Sequence, residues 1–572
     1  MLVSEAAGAV LTRLGATTVF GVVGSGNFHV TNALIANGAR FVAARHEGGA
    51  ACMADGWARA TGEVGLLSVH QGPGLTNAMT GITEAAKSRT PLLVLAADVA
   101  GAAVRSNFRI DVATLAASVG AQADRLHSPG SAVADVVRAY RTAQGQRRTV
   151  VLAMPLDVQA ARCDAPVIAP SPPVLPCPPS REAVTELAGA LTAARRPVFV
   201  AGRGARVANA GAGLQRLADA CGALLATSAA AKGLFRGNPW DLDVSGGFAT
   251  PLAAELIGAA DLIVGWGCSL NMWTMRHGRL IGPGTTVAQV DDEVSAIGAH
   301  RPVDLAVLGD VAQTCRAVLA ELAGRTTGGY RSAELRERIG REGRWRDVPY
   351  ADEGTGGADG NETGTDSTGP GGGNSGAGGD SRARIDPRTL TIALDDLLPE
   401  ERMVAVDSGN FMGYPSMFLS VPDASAFCFT QAYQSIGLGL ASAIGAALAQ
   451  PGRLPVAALG DGGALMGISE LETVVRLGLA MVIVIYDDEA YGAEVHHFGP
   501  DRHPLDTVKF PPADIAAIGR GFGCAGVTVR GLADLAPVRE WLAGPRDRPL
   551  VIDAKVTSAS GSWWLEEAFR GH

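Results

Sequence analysis

The sequence predicts an α/β protein built as three doubly wound parallel-sheet domains. Short apolar runs alternate with segments of helical periodicity along most of the 572 residues, the pattern of parallel strands joined by crossover helices. Two stretches of unlike composition, one rich in proline and one in glycine, divide that alternation into three units.

The first unit runs from residue 1 to about 165, with buried strands expected at 18–22, 41–44, 65–69, 91–96 and 149–153. Residues 163–180, CDAPVIAPSPPVLPCPPS, form a proline-rich linker that should be stiff. A second unit spans 181–325, with strands at 197–201, 262–266 and 286–290. Residues 352–383 have almost no apolar side chain with which to offset the entropy of ordering, so a disordered insert or linker is expected there. The third unit covers 384–572.

Bulk properties exclude several function classes. The net charge is −9 and the basic residues are scattered, so no stripe of Lys and Arg exists to neutralise a nucleic-acid backbone. No apolar run approaches the ~20 residues of a membrane span. The start lacks a basic region and carries Glu5, which argues for an amphipathic helix over a signal peptide. Eight cysteines occur singly, without a C-x-x-C pair, as expected for reduced thiols in a cytoplasmic protein.

The chemistry concentrates between Val456 and Tyr491. An apolar run at 456–459 stops at Gly460-Asp461-Gly462-Gly463; Leu465, Ile468, Leu471, Val474 and Val475 follow at helical spacing up to Gly478; a second apolar run, 481–486, ends in Asp487 and Asp488. A right-handed crossover brings both strand ends to one sheet edge, where these carboxylates meet a helix N-terminus. Glycines let a ligand approach the backbone, and free N–H groups of the first turn favour phosphate. Carboxylates would repel that anion unless a hard cation lay between, and Mg²⁺ takes one or two carboxylates plus phosphate oxygens. An isolated GDG is more often an ordinary turn; the ordered spacer 463–486 leading to a second acidic pair is what argues for a Mg²⁺-diphosphate site.

GDG, such a spacer and then a paired polar motif resemble the diphosphate-binding signature of thiamine-diphosphate (ThDP) enzymes of the acetolactate synthase, pyruvate decarboxylase and benzoylformate decarboxylase group. That family writes Asn-Asn where this chain has Asp487-Asp488. The resemblance implies a pyrimidine-binding first domain, a central Rossmann-like domain and a diphosphate-binding third domain. It implies that Asp461, Asp488 and the backbone carbonyl of Ala490 hold the metal, with Gly462, Gly463 and Ala464 at the diphosphate. Asn410 and Phe411, in the loop after the apolar run 403–406, would flank the same group.

In the first unit, FVAARHEGGAACMADGWARATG resembles the family segment whose glutamate bonds a pyrimidine nitrogen and so activates the cofactor, a role this implies for Glu47. In QAYQSIGLGLASAIGAA, Ile436 stands where the family places an apolar wedge under the cofactor, with Gln434 beside it. Because the family uses Glu47 and the diphosphate loop from different subunits, the resemblance implies a homodimer or a homotetramer with sites at the dimer interface.

For the reaction, the resemblance implies a 2-oxo acid donor converted to an enamine and then protonated or ligated to an aldehyde or second oxo acid. His70 and Ser25 lie where benzoylformate decarboxylase has a histidine and a serine, although a strand-end histidine satisfied by its neighbours is the ordinary alternative. Glu494 falls where pyruvate decarboxylase places a glutamate. His497 and Arg109 replace residues typical of the anabolic synthase. The middle unit has GWGCSLNMWTMRHGR in place of the segment carried by flavin-binding relatives, which argues against bound FAD. The alternatives are an FAD-containing acetolactate synthase or oxidase, and a non-catalytic binding subunit that the Asp-Asp departure permits but Glu47 opposes.

Overall fold

A computed structural model describes residues 1–164, 175–325, 327–355 and 383–568; most of the proline-rich linker and of the glycine-rich insert lie outside the described residues. The chain forms three six-stranded, wholly parallel sheets. The first contains β1 (Thr18–Gly21), β2 (Arg40–Ala43), β3 (Gly65–Val69), β4 (Leu92–Asp98), β5 (Gln122–Arg125) and β6 (Thr149–Pro155), in the order β2-β1-β3-β4-β6-β5. The second contains β7 (Pro197–Ala201), β8 (Leu224–Thr227), β9 (Asp241–Val244), β10 (Leu262–Trp266), β11 (Thr286–Asp291) and β12 (Leu305–Leu308), in the order β12-β11-β10-β7-β8-β9. The third contains β13 (Arg402–Val406), β14 (Phe427–Phe429), β15 (Leu454–Gly460), β16 (Val482–Asp487), β17 (Ala525–Val529) and β18 (Leu550–Lys555), in the order β14-β13-β15-β16-β18-β17.

Central strands such as LLVLAAD, TVVLAMP and VIVIYD are buried throughout. Helices cover both faces, as a parallel sheet requires. The strand order reverses at the β6–β5 and β18–β17 edges of the first and third sheets and, in each sheet, near the middle, between β1 and β3, β7 and β10, and β13 and β15. Loops at the carboxyl ends of these strand pairs part to opposite faces, which leaves a crevice.

The helix expected from Asp461 to Gly478 is two short helices, Asp461–Met466 and Glu470–Arg476. The break falls at Gly467, where the glycine gives the helix no propensity to continue. It turns Leu465 and Met466 out to solvent, 41% and 57% exposed, while Leu471 and Val474 remain in the core.

The first and third domains share one core. Helix Glu47–Thr61 lies against helix Gly439–Ala449 backbone to backbone: a Cβ at Gly56 would fall 2.3 Å from the Ser442 carbonyl oxygen, and one at Gly445 would fall 1.9 Å from that of Met53. Beside this contact the half-buried Arg59 is bonded to Asp55 and Glu84 and donates to the Phe429 carbonyl, 2.9 Å away. Glu84 in turn accepts the backbone N–H groups of Ala432 (3.1 Å) and Tyr433 (2.7 Å). The middle domain is tied on by arginines, Arg147 to Asp292, Arg148 to Glu293, and Arg236 to the Val421 carbonyl.

Residues 352–355, whose composition places them in the insert, are bonded to the third domain. Glu353 N–H donates to Asp386 (3.0 Å), Thr355 N–H to the Arg384 carbonyl (2.9 Å), and Arg384 N–H to Thr355 Oγ1 (2.9 Å). Among the described residues no helix is long and apolar enough to cross a membrane.

Candidate cofactor site

At the carboxyl edge of the third sheet the crevice between β13 and β15 is lined by 407–412 and 460–464. Asp461 opens its helix directly after β15 and is 8% exposed. Burial, then the carboxylates of Asp488 and Asp487, push its pKa up to about 8. Asp488, just past β16, is pushed up to about 7 by burial, opposed by the Ala490 N–H and the Asn410 side chain. Like charges this close resist joint ionisation. A divalent cation removes that conflict, and two carboxylates with the Ala490 carbonyl leave coordination sites for phosphate oxygens. Among the described residues no group of three or more His, Cys, Asp or Glu forms an all-protein metal cage, here or elsewhere, so a cation at this pair would need the phosphate oxygens to complete its shell. The residues present therefore fit a Mg²⁺-diphosphate group.

The third carboxylate expected here points elsewhere. Asp487 is buried in an ion pair with Lys555, which also lies 3.2 Å from Asp553. Of the acidic pair, only Asp488 is left to the crevice.

Glycines make room around this pair. A Cβ at Gly462 would meet the Tyr491 ring at 2.8 Å, one at Gly463 would meet Asp407 Oδ2 at 2.5 Å, and one at Gly492 would meet Asp488 Oδ2 at 2.2 Å. Ala464 is buried on the next turn. Phe411 is also buried, stacked on Tyr486 with ring centroids 5.3 Å apart, so its side chain supports the loops from beneath. Asn410 is held by the C-terminal segment: its carbonyl accepts from Ser562 Oγ (2.8 Å) and Trp564 Nε1 (2.9 Å).

Sequence reasoning missed Asp407. This fully buried residue accepts N–H groups from Ser408 (2.8 Å), Gly437 (2.9 Å) and Leu438 (3.2 Å), and burial pushes its pKa up to about 6 against those bonds. It fixes the turn carrying Ile436, which is half-buried, and the exposed Gln434, whose backbone is left-handed (φ 60°). A signal existed: an acid right after an apolar strand and two residues before a glycine has the grammar of Gly460-Asp461. Nothing comparable marked Trp564.

The second group lies at the β1–β3 crevice of the first domain. His70, after β3, accepts the Gly26 N–H at Nδ1 (3.0 Å), which leaves Nε2 as the proton-bearing nitrogen of the neutral ring. Burial lowers its pKa and the nearby Glu47 carboxylate opposes that. The Phe108 ring meets His70 edge-on at 5.3 Å, whereas the next residue, the exposed Arg109, lines a cavity with Asp98, Asp111 and His127. Glu47 begins its helix after β2 and accepts from Asn77 Nδ2 at 3.1 Å. Ser25 is exposed in the loop between β1 and Asn27. Glu494 is exposed on helix Gly492–Phe498, one turn beyond Ala490.

Within one chain the two groups stay apart. Among the described residues no hydrogen bond, ion pair or ring contact joins Glu47, His70 or Ser25 to Asp461, Asp488 or Asn410.

Three family models match along the chain: the N-terminal thiamine pyrophosphate-binding domain over residues 1–114, the central domain of these enzymes over 184–318, and their C-terminal thiamine pyrophosphate-binding domain over 407–554. Together they cover more than half of it. The chain belongs to the thiamine-diphosphate-dependent enzymes. Its relatives in this family include a probable 2-ketoarginine decarboxylase of Pseudomonas aeruginosa, 29% identical over 91% of this chain and 88% of that protein. A sulfoacetaldehyde acetyltransferase of Rhodobacter capsulatus is 27% identical over 99% and 96%. An acetolactate synthase large subunit of Parasynechococcus marenigrum is 26% identical over 91% and 82%.

In this ThDP enzyme the middle-domain segment after β10 is committed to its own domain. Cys268 and Leu270 are buried, Leu270 with φ 48° against Gly265, and Asn271 Oδ1 accepts the Thr274 N–H at 3.0 Å.

Proposed function

We propose that this ThDP enzyme cleaves a 2-oxo acid and either protonates the remaining fragment or ligates it to an aldehyde or oxo acid, using Mg²⁺ and a site shared by two copies of the chain. The observation that carries the reading is the Asp461–Asp488 pair at a glycine turn, two carboxylates whose mutual repulsion and loss of solvent resist ionisation at neutral pH and which a divalent cation would hold in the charged form. The relatives' names, a decarboxylase, an acetyltransferase and a synthase, support the substrate class and leave the acceptor open.

When bound, ThDP supplies a thiazolium carbon acid that adds to a 2-oxo acid and delocalises the charge left by loss of CO₂. The chain's residues do the rest. Asp461, Asp488 and the Ala490 carbonyl hold the cation, and the first turn after Gly460 receives phosphate oxygens. Ile436, on the turn set by Asp407, shapes the cofactor from below. Glu47 of the opposite subunit holds a proton at the pyrimidine. His70, neutral and donating from Nε2, offers a proton to an oxyanion or carboxylate at the mouth.

The separation of the two groups within one chain supports a homodimer as the smallest active unit, with a homotetramer compatible. Purified protein with ThDP and Mg²⁺ should release CO₂ from at least one 2-oxo acid in a broad panel, and Glu47→Gln should lose most of that turnover while staying folded. Wild-type activity in the variant would refute the assignment. Subunit sharing has its own test. Co-expressed Glu47→Gln and Asp461→Ala chains form hybrids with one intact site, so about a quarter of wild-type activity should return to a statistical mixture; no recovery would place both residues in one chain's site.

A further inference from the structure

We propose that Glu470 is a positioning residue for Glu47, reaching across from the third domain to set the turn that presents that glutamate; this rests on the role proposed for Glu47 above. Glu470 opens helix Glu470–Arg476 and is 2% exposed. Its Oε1 accepts the backbone N–H groups of Arg45 (3.0 Å) and His46 (3.1 Å), the two residues before Glu47. Its Oε2 accepts from Thr473 Oγ1 at 2.7 Å, which holds the carboxylate in one orientation.

The residues around it are arranged for this approach. Gly49 lies over the carboxylate, and a Cβ there would sit 2.4 Å from Oε1. Arg45 Nε pairs with Glu472 at 2.7 Å, and Arg476 donates to the Ala43 carbonyl. Residues 43–49 are thus gripped along their length by one helix of another domain. Among the described residues the Glu47 side chain has one hydrogen-bond partner, the Asn77 amide. Its position is therefore set chiefly by its backbone, and that backbone is set by Glu470.

A buried carboxylate is a costly way to satisfy two N–H groups if the turn merely had to fold. The same helix begins four residues after the helix that Asp461 opens. Glu470 therefore connects the cation loop of one site to the glutamate that this chain lends to the other.

The test follows hydrogen–deuterium exchange at the thiazolium carbon of bound ThDP, alongside melting temperature and retention of ThDP and Mg²⁺. Glu470→Ala should slow exchange about tenfold or more, because small misplacements of a catalytic group are costly, while cofactor retention stays near wild type. Glu470→Gln keeps an oxygen for both N–H groups and should restore most of the rate. If Glu470→Ala does not fold, Gly49→Ala keeps every hydrogen-bonding group and displaces the carboxylate, and it should slow exchange in the same sense. Wild-type exchange in folded Glu470→Ala or Gly49→Ala, or failure of Glu470→Gln to rescue, overturns the proposal. Wild-type exchange in Glu47→Gln would instead overturn the role of Glu47, and this inference with it.

Discussion

Replacing Trp564 tests whether the C-terminal segment packs against the middle domain and the loop that carries Asn410. The indole is 7% exposed and lies against Phe248 and Trp273 of the middle domain, with ring centroids 6.5 and 6.3 Å away. Gly413 packs beneath it so closely that a Cβ there would come within 2.1 Å of the ring. Trp564→Ala leaves a cavity walled by two domain surfaces that cannot easily collapse, and should cost about 3–5 kcal/mol. Trp564→Phe keeps most of the area and loses the Nε1 bond to Asn410, whose carbonyl still accepts from Ser562; the cost should be about 1–2 kcal/mol. At about 2–4 °C per kcal/mol for a domain of this size, the alanine variant should melt roughly 6–20 °C lower and the phenylalanine variant roughly 2–8 °C lower. Thermal unfolding followed by circular dichroism measures both. An alanine variant melting within experimental error of wild type would mean that residues 557–565 do not pack as described; equal losses in the two variants would assign the effect to the hydrogen bond rather than to packing.

Further outcomes follow from the same geometry. Asp461 has a folded pKa raised above its unfolded value, so in the cation-free protein the stability it contributes is complete below about pH 4 and is lost as pH rises to about 8. Asp461→Asn should therefore melt higher than cation-free wild type at pH 8, by a few kcal/mol in stability at roughly 1.4 kcal/mol per pKa unit, and should melt at the wild-type temperature at pH 4; a lower melting point at pH 8 refutes the raised Asp461 pKa. Removing Mg²⁺ with a chelator should lower the wild-type melting temperature more at pH 8 than at pH 6, and the reverse order would count against Asp461 and Asp488 as ligands. Gly463→Ala should abolish stabilisation by ThDP and Mg²⁺, since the new Cβ drives Asp407 from the Ile436 turn; an undiminished thermal shift contradicts that. Shortening residues 356–382 to a few glycines, with Thr355 and Arg384 retained, should raise stability by about 1–2 kcal/mol through a smaller loop-closure cost and leave activity intact. A loss of folding would show that the segment packs.

The fold class was legible because parallel strands buried on both faces are written as plain apolar runs. GLLSV, PVFVA and LIVGW can be read directly, whereas the edge strand β5, QADR, has almost no apolar residue and was passed over. The local parts of the site were equally visible, since Gly460 to Ala464 and Asp488 follow one another within a single βαβ unit. What depends on distant pairing left no local trace. Asp487 and Asp488 are adjacent and identical in type, and only Lys555, contributed by β18, decides that one turns inward. Glu470 sits in an ordinary helical pattern, and its partners at 45 and 46 are more than 400 residues away. Residues 352–355 looked like insert because their contribution is hydrogen bonding to Asp386 and Arg384 rather than buried area.

The backbone contact between helices Glu47–Thr61 and Gly439–Ala449 bears on how the chain is made. The ribosome delivers the first helix long before the second, with roughly 380 residues between them, which at about 5–20 residues per second is on the order of 20–80 s. Throughout that interval the small-residue face of Glu47–Thr61, and the Arg59 guanidinium and Glu84 carboxylate arranged to hold Phe429 and Tyr433, have no counterpart. The nascent first domain thus spends its early life as a half-finished core with an adhesive surface. Yield of soluble enzyme should depend on chaperone capacity and low temperature more steeply than the stability of the finished protein would suggest.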